Sequence, residues 1–179
     1  ARAQAVAPHG DAIYTPAPGQ TGKDVMWLGT PDAMVAAMLK AARTGPADFV
    51  ADLGAGDGRI AIAAARDFGA RALGIEYDPK MAALAARNAA RAGVGDRVRI
   101  VEGDIFKEDF SRASVVTLYL LPELNLQLRP TILAMAPGTR VVSYQFTMAE
   151  WEPDQLIRGP TWDAYLWIVP ATVAGRWRV

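Results

Sequence analysis

The stretch that most constrains the fold is residues 50–58, Val-Ala-Asp-Leu-Gly-Ala-Gly-Asp-Gly, where an apolar run passes through three alternating glycines into a helical pattern. This order predicts a buried strand, a tight turn and the start of a helix. Glycines at 54, 56 and 58 leave the main chain open to a ligand. Their Gly-x-Gly-x-Gly spacing is one residue shorter than the dinucleotide fingerprint. We expect a ligand-binding turn, with a purely structural turn as the alternative.

The next apolar run strengthens this interpretation. Residues 72–75 lead into Glu76, about twenty residues after the loop, at a place where an acid can accept both hydroxyls of a ribose. The loop and this acid together favour an adenosine-containing ligand. Neither feature requires a pyrophosphate.

Composition limits the possible functions. A chain of 179 residues fits one domain, to which we assign residues 30–179; residues 1–29, rich in Pro, Gly and Thr, are predicted to be an N-terminal arm. The formal net charge of zero argues against a broad nucleic-acid footprint, so nucleic acid is not an expected partner. Because the chain has no cysteine, and His9 is its single histidine, we expect no metal site and no catalytic triad. No apolar run reaches the roughly 20 residues that span a bilayer.

Short apolar runs alternate with helical segments from residue 48 onward, which predicts an α/β fold with a parallel sheet covered on both faces. The last two runs, 164–169 and 173–179, should form an antiparallel pair, because their connection is too short for a helical crossover. Residues 151–154 are predicted to be a loop or a single turn. The other predicted strands are 48–53, 71–76, 97–102, 114–120 and 139–146; the first predicted helix begins at Thr30-Pro31-Asp32, with Thr30 as its N-cap, and the others cover 58–67, 79–92 and 122–135.

Four of these strands end in polar or glycine-containing groups. In an open parallel sheet, ligands bind beyond the carboxyl ends of the strands, beside the point where the strand order reverses. We therefore expect the four groups to converge on one crevice. They are residues 54–58, 76–77, 103–105 and 119–123.

Three of these strand ends resemble the cofactor motifs of the class I S-adenosylmethionine (SAM)-dependent methyltransferases: Asp-Leu-Gly-Ala-Gly-Asp-Gly at 52–58, Gly-Ile-Glu-Tyr-Asp at 74–78 and Glu-Gly-Asp-Ile at 102–105. The resemblance covers roughly residues 30–179. It implies a Rossmann-like, mostly parallel sheet with helices on both faces and a C-terminal antiparallel strand pair. It also implies SAM as the methyl donor and S-adenosyl-L-homocysteine (SAH) as the product.

A narrower resemblance concerns the methyl acceptor. Asp-Gly-Arg-Ile at 57–60, with Thr30-Pro31 ahead of it, is similar to a lysine methyltransferase subgroup related to the enzyme that modifies the mitochondrial ATP synthase c-subunit. This chain departs from the subgroup in two places. It has Trp-Leu-Gly-Thr-Pro at 27–31 where the subgroup has Tyr-Val-Pro-Thr-Pro, which affects the expected substrate-side contacts. It has Ala55 where Ser is common, a small change if the loop binds through its backbone.

The methyltransferase resemblance assigns roles to the strand-end residues. Asp52 and the loop backbone face the charged amino-acid end of the cofactor, and Glu76 holds the ribose hydroxyls. Asp104 accepts from the adenine amino group, while Tyr77 and Ile105 flank the adenine. For each of the three acids, a role confined to a turn or to the solvated surface is the alternative, and for Tyr77 and Ile105 the alternative is a place in the core. The expected cofactor set is Thr30, Asp52, Gly54, Ala55, Gly56, Asp57, Gly58, Glu76, Tyr77, Asp104, Ile105 and Tyr119.

Methyl transfer from a sulfonium is an in-line displacement, so the enzyme must align the nucleophile with the methyl carbon and needs no covalent intermediate. An amine acceptor must first lose its proton, and partial desolvation lowers its pKa. Tyr119 and Glu123 are the expected catalytic residues, as groups that position the amine, and Asn125 is a further candidate. For Glu123 the alternative is a first-turn glutamate favoured by the helix dipole.

We therefore predict a SAM-dependent methyltransferase that N-methylates an amine such as a protein lysine. A methyltransferase for a small molecule, an NAD-type nucleotide-binding protein and a noncatalytic binding module remain alternatives. The expected partner is a protein or a small amine, and nothing in the sequence indicates an oligomeric state. Because residues 1–3, Ala-Arg-Ala, resemble the end of a cleaved signal peptide, export is an alternative to the cytoplasmic location expected for a user of SAM.

Overall fold

The computed structural model describes residues 9–22 and 27–172. Within these residues one sheet contains the strands β1 (Phe49–Leu53), β2 (Arg71–Glu76), β3 (Val98–Glu102), β4 (Val115–Leu118), β5 (Arg140–Tyr144), β6 (Gln155–Ile157) and β7 (Ala164–Ile168). Their order across the sheet is β3-β2-β1-β4-β5-β7-β6. Strands β1 to β5 are parallel, and β7 runs antiparallel to both of its neighbours. This is the mostly parallel sheet with an antiparallel ending that the sequence predicts.

The helices of the described chain are α1 (Asp32–Ala41), α2 (Arg59–Phe68), α3 (Pro79–Arg91) and α4 (Pro122–Leu133). None of them is long and apolar enough to cross a membrane. The start of α3 shows how the sequence sets a boundary. Asp78 accepts hydrogen bonds from the backbone N–H groups of Lys80 at 2.8 Å and Met81 at 3.1 Å, and Pro79 occupies the first helical position. Pro122 likewise occupies the first position of α4, although no side chain caps that helix.

An apolar core lies on each face of the sheet. Alternate residues of β1 show the division, because Val50 packs with residues of α1 and α2, whereas Ala51 and Leu53 pack with residues of α4. This alternation follows from the two-residue period of a strand, and a strand covered on both sides must be apolar on both. Helices therefore cover both faces, as the sequence predicts.

The predicted helix and strand boundaries hold to within two residues from β1 to β5, with two corrections elsewhere. Pro31, not Thr30, stands at the N-cap position of α1. Residues 155–157 form an edge strand that was not predicted, because three residues are too few to show a period. The antiparallel partners of β7 are β5 and β6. The predicted partner, residues 173–179, lies outside the described residues.

The strand order reverses between β1 and β4, which positions the site. The chain runs from β1 outward to β2 and β3 and then returns to β4 on the other side of β1. The connection that follows β1 therefore runs to one side of the sheet, and β4 lies on the other side of β1. A crevice opens between them above the carboxyl ends of these two strands. The predicted glycine loop begins at the end of β1 and fills the floor of that crevice.

The described part of the N-terminal arm contacts α3. The Asp11 carboxylate pairs with Arg87 at 2.5 Å and Arg91 at 3.3 Å, both on α3, and the hydrogen bond from Arg87 holds the pKa of Asp11 well below its usual range. Further along, Gly19 and Gln20 each share a backbone hydrogen bond of 2.9 Å with Trp27. Gln20 and Trp27 also line the crevice, so this part of the arm lies at its edge.

Candidate active site

A pocket lies at the carboxyl ends of β1 to β4 and contains every expected cofactor residue except Gly58. The four strand-end groups therefore converge, as the sequence analysis expects. The arm contributes a further wall, which the sequence analysis did not assign to the site. The additional lining residues are Gln20, Gly22, Trp27, Leu28, Gly29, Arg59, Ile60, Asp78, Met81, Gly103, Leu120 and Leu124.

The glycine loop is fixed to the neighbouring strand β2. The backbone N–H groups of Gly54 and Ala55 both donate to the carbonyl of Ile75 at 2.9 Å. Gly54 and Gly56 have φ angles of 77° and 56°, in the left-handed region that favours glycine. A Cβ atom at Gly56 would lie 2.6 Å from Nε1 of Trp27, so this position excludes a side chain for steric as well as conformational reasons. The floor of the pocket is bare backbone.

Gly58 has a different place from the rest of the expected cofactor set. It stands at the N-cap of α2 with a φ of 83°, outside the pocket lining. A Cβ atom there would lie 3.0 Å from the Cβ of Ala85 on α3. Gly58 thus permits a close approach of α2 and α3 behind the loop.

Replacing Gly58 with alanine is expected to destabilise the fold by about 2 to 3 kcal/mol, from left-handed backbone strain together with the crowding at Ala85. Gly138→Ala is the matched control, because Gly138 has a φ of 88° and nothing within 4 Å of the added Cβ. It should lose only the strain contribution, about 1 to 2 kcal/mol. Urea unfolding of both variants measures the difference, and equal losses would show that contact with α3 does not matter.

Glu76 joins the end of β2 to the glycine loop. Its Oε2 accepts from the Gly56 N–H at 2.7 Å, and its Oε1 accepts from the Asp78 N–H at 2.9 Å. Burial raises the pKa of this carboxyl, although the two backbone donors act in the opposite direction. Each carboxylate oxygen has a second lone pair, so Glu76 can hold the loop and also accept hydroxyls from a ligand. The loop contact was not visible in the sequence.

Asp52 is an acid buried beneath the loop. Its side chain is 2% exposed, and its Oδ1 accepts a hydrogen bond from the Thr117 hydroxyl at 2.8 Å. Burial raises its pKa to about 7, and the nearby charges of Asp57 and Glu76 add to this effect. A cationic group in the pocket would favour the ionised form. Asp52 therefore fits the ammonium of an amino-acid ligand.

Asp57 belongs to a second polar network, with Arg59 and His9 as its partners. Its Oδ2 accepts from Nη2 of Arg59 at 2.7 Å, and Nδ1 of His9 lies 3.3 Å from the same oxygen. Arg59 also donates to the carbonyl of Thr30 at 2.9 Å, and its guanidinium lies 5.7 Å from the ring centre of Trp27. Arg59 thus connects the glycine loop to the arm. Asp57 and Thr30 have structural partners here, and their expected cofactor contacts stay predictions.

The expected adenine side of the pocket is formed by Tyr77, Asp104 and Ile105. The Tyr77 side chain is 52% exposed, and Ile105 packs at the edge of the core below α4. The Oδ1 of Asp104 accepts from the Phe106 N–H at 3.0 Å, which shapes the turn after β3. This arrangement can place an apolar face on each side of a flat ring, and the roles of these three residues stay predictions.

The expected substrate side is formed by Tyr119 at the end of β4. The Tyr119 hydroxyl donates to Oε1 of Gln145 at 3.1 Å, and its ring packs edge-on against Tyr144 with centres 4.8 Å apart. Glu123 is exposed and lies outside the pocket lining, at the first turn of α4. Asn125 is fully buried and donates to Ser143 and to backbone carbonyls. Of the three candidates, only Tyr119 reaches the pocket.

Known proteins that are similar to this chain show its family. The model of the ANTKMT methyltransferase domain matches residues 52–155. The chain belongs to this methyltransferase family. A protein-lysine N-methyltransferase of Saccharolobus islandicus is 41% identical over 136 residues, 75% of this chain and 84% of that protein. The lysine N-methyltransferase of the ATP synthase c-subunit from Mus musculus is 36% identical over 113 residues, which are 63% of this chain and 44% of that protein.

Solved structures agree with the family. The crystal structure of an RNA methyltransferase from Salinibacter ruber in complex with SAH has a TM-score of 0.80 and 45% identity, over 83% of this chain and 98% of that one. A SAM-dependent methyltransferase from Geobacter sulfurreducens, also with SAH, has a TM-score of 0.57 and 26% identity over 64% of this chain and 48% of that one. The predicted family, fold, enzyme class and cofactor are thereby confirmed: the chain is a SAM-dependent methyltransferase.

Proposed function

We propose that this methyltransferase transfers the methyl group of SAM to the side-chain nitrogen of a lysine in a protein. The observation that carries the proposal is the 41% identity to a protein-lysine N-methyltransferase, 84% of whose length this chain covers. The site supports it, because a tyrosine, Tyr119, and apolar side chains such as Leu120 and Leu124 line the same pocket as the expected cofactor residues. An amine acceptor needs both features, a polar group to direct it and a dry surface to lower its pKa.

In this proposal most of the contacts to the cofactor and to the acceptor come from different residues. Asp52 and the bare backbone of the glycine loop hold the amino-acid end of the cofactor, and Glu76 holds its ribose. SAM, when bound, supplies an electrophilic methyl carbon on its sulfonium. Leu120 and Leu124 give the pocket an apolar part, and apolar surroundings favour the neutral form of an entering alkyl amine. The protein contributes alignment, because an in-line displacement requires no covalent intermediate.

Tyr119 acts in this proposal as a neutral hydrogen-bonding group. Burial raises the pKa of its hydroxyl above the ordinary value, with a smaller effect from Tyr144, so the hydroxyl stays protonated near pH 7. It therefore does not serve as the base that removes the ammonium proton. The hydroxyl oxygen can accept an N–H of the neutral amine and direct its lone pair toward the methyl carbon.

Tyr119→Phe is expected to lower kcat for lysine methylation about tenfold, the usual effect of losing one hydrogen bond worth about 1.4 kcal/mol. The dissociation constant for SAH should change less than about twofold, since the ring and the cofactor contacts remain. Tyr165→Phe is the matched control, because Tyr165 lies on β7 away from the pocket. Steady-state kinetics and calorimetry measure the two quantities. An unchanged kcat in Tyr119→Phe would remove this residue from the mechanism.

RNA is the second candidate acceptor, because the Salinibacter ruber structure with 45% identity is an RNA methyltransferase. The balance of charge favours a protein over RNA as the methyl acceptor. The chain has 19 Lys and Arg against 19 Asp and Glu, whereas RNA-binding surfaces carry a basic excess. The pocket lining also includes Leu120 and Leu124, whose apolar side chains suit the methylene chain of a lysine.

Incubation of the protein with methyl-labelled SAM and a cell extract tests the acceptor class. We expect label that is lost on protease treatment, resists ribonuclease, and is recovered as methylated lysine after acid hydrolysis. The same incubation with Glu76→Ala is the control for transfer that needs this pocket. Label that is released by ribonuclease, or that stays in small molecules, would overturn the lysine proposal while leaving the methyltransferase family intact.

A further inference from the structure

Gln145 has a backbone conformation that its residue type disfavours. It directly follows the last residue of β5 and has a φ of 72°, in the left-handed region, together with Arg43 and Ala149 among the non-glycine residues described. The Phe146 N–H donates to the Tyr144 carbonyl at 2.9 Å across Gln145, which closes the rarer and strained form of γ-turn. Strain of this kind persists where the surrounding structure enforces it, and it clusters at functional sites.

Several hydrogen bonds enforce this turn. The Gln145 N–H donates to the carbonyl of Asp163 at 2.8 Å, which ties the turn to the start of β7. From the opposite side, Nδ2 of the fully buried Asn125 donates to the carbonyls of Phe146 at 3.5 Å and Thr147 at 3.3 Å. The backbone on both sides of Gln145 is therefore held, which fixes the direction in which its side chain leaves the turn.

This turn delivers the Gln145 carboxamide to Tyr119. Its Oε1 accepts the Tyr119 hydroxyl proton at 3.1 Å, while the Tyr119 ring is held edge-on against Tyr144. A tyrosine hydroxyl has one proton and lone pairs on the remaining side of its oxygen. Once the proton is directed at Gln145, the oxygen can only accept from a group in the pocket. An undirected hydroxyl could instead donate to the lone pair of a neutral amine and block its attack.

We propose that Gln145 is a positioning residue for methyl transfer, which fixes the Tyr119 hydroxyl as a hydrogen-bond acceptor for the amine. The inference rests on the proposed function, because it requires an acceptor that carries N–H groups. It assigns a purpose to the strained turn, since a residue in a relaxed backbone after β5 would not be held in this direction. No feature of the sequence indicated it, and residue 145 fell inside the predicted strand 139–146.

Two substitutions distinguish a role of the Gln145 carboxamide in positioning the Tyr119 hydroxyl from a role in stabilising the turn. Gln145→Asn keeps a carboxamide and tolerates positive φ at least as well, but it is one methylene too short to reach Tyr119. We expect its kcat on the lysine protein labelled in the cell extract to fall about tenfold, with the melting temperature and the SAH dissociation constant unchanged. Gln145→Glu restores an acceptor at full length and should keep kcat within about threefold of the unsubstituted enzyme.

A double-mutant cycle with Tyr119→Phe completes the test. If Gln145 acts through the Tyr119 hydroxyl, adding Gln145→Asn to Tyr119→Phe lowers kcat no further than Tyr119→Phe alone. Effects that multiply, an undiminished kcat in Gln145→Asn, or a loss of SAH binding in that variant would each overturn the assignment. If the unsubstituted enzyme labels no lysine, the proposed function fails and the role of Gln145 fails with it. Lysine labelling with a fully active Gln145→Asn variant would refute the role of Gln145 alone.

Discussion

Replacing Glu76 with alanine is expected to raise the dissociation constant for SAH about 100-fold. Hydrogen bonds to a charged group are worth about 1.5 to 3 kcal/mol each, and the predicted contact to the ribose uses two of them. Two bonds at the lower value give about 3 kcal/mol, or two powers of ten. The loss of the 2.7 Å bond to the Gly56 N–H acts in the same direction, because it loosens the loop on which the cofactor rests. Isothermal titration calorimetry measures the change.

Glu102→Ala is the matched control for this prediction. Glu102 pairs with Glu76 in register across β3 and β2, ends its strand in the same way, and lies outside the pocket lining. Its replacement should leave the SAH affinity within about twofold. Thermal unfolding of Glu76→Ala shows whether the domain stays folded. A folded Glu76→Ala protein that binds SAH as well as the unsubstituted one would mean that the ribose lies elsewhere.

Asp52 should make SAH binding depend on pH near neutrality. Burial raises the Asp52 pKa of the protein to about 7, so binding the ammonium of a ligand below that pH must release a proton from this carboxyl. At pH 6 about one tenth of the carboxyl is ionised, against about three quarters at pH 7.5, so the affinity should be about eightfold lower at pH 6. Calorimetry across this range, in buffers of different ionisation enthalpy, also counts the protons released. A flat profile would exclude Asp52 as the ammonium partner.

Asp52→Asn distinguishes the titration of the Asp52 carboxyl from the titration of the ligand itself. This variant should bind SAH more weakly at pH 7.5 and follow only the ligand's own ionisation. The free energy of unfolding of the protein without ligand gives an independent check that the Asp52 pKa is raised. Between about pH 4 and pH 7 the folded protein holds a proton on Asp52 that the unfolded chain has released, so this group's contribution to stability falls as pH rises through that window. The fall should be absent in Asp52→Asn.

Local sequence features predicted most of the fold and the cofactor side of the site. The run into Asp52, the glycines after it and the strand ending at Glu76 are each encoded within a few consecutive residues. Parallel topology then brings distant strand ends together without further information, which is why residues near 54, 76, 104 and 119 share one pocket. Residue type alone could not distinguish Gly58, which allows α2 to approach α3, from the glycines that line the pocket.

Features that depend on packing between distant segments could not be predicted. Trp27 reaches the glycine loop through contacts between the arm and Arg59, 32 positions later in the chain. Gln145 gains its position from Asp163 and Asn125, which hold its turn from two other elements. Glu123 has the residue type and the strand-end location of a substrate ligand, yet the first turn of α4 directs it to solvent.

A crystal structure of the protein with SAH would show whether the pocket at the ends of β1 to β4 holds the cofactor with its sulfur directed at Tyr119. We expect both ribose hydroxyls at about 2.7 Å from the Glu76 carboxylate, the ammonium beside Asp52 and the loop, and the sulfur on the Tyr119 side. Ligand density outside this pocket, such as in the cavity between α1, α2 and α3 that His9 and Arg91 line, would contradict it.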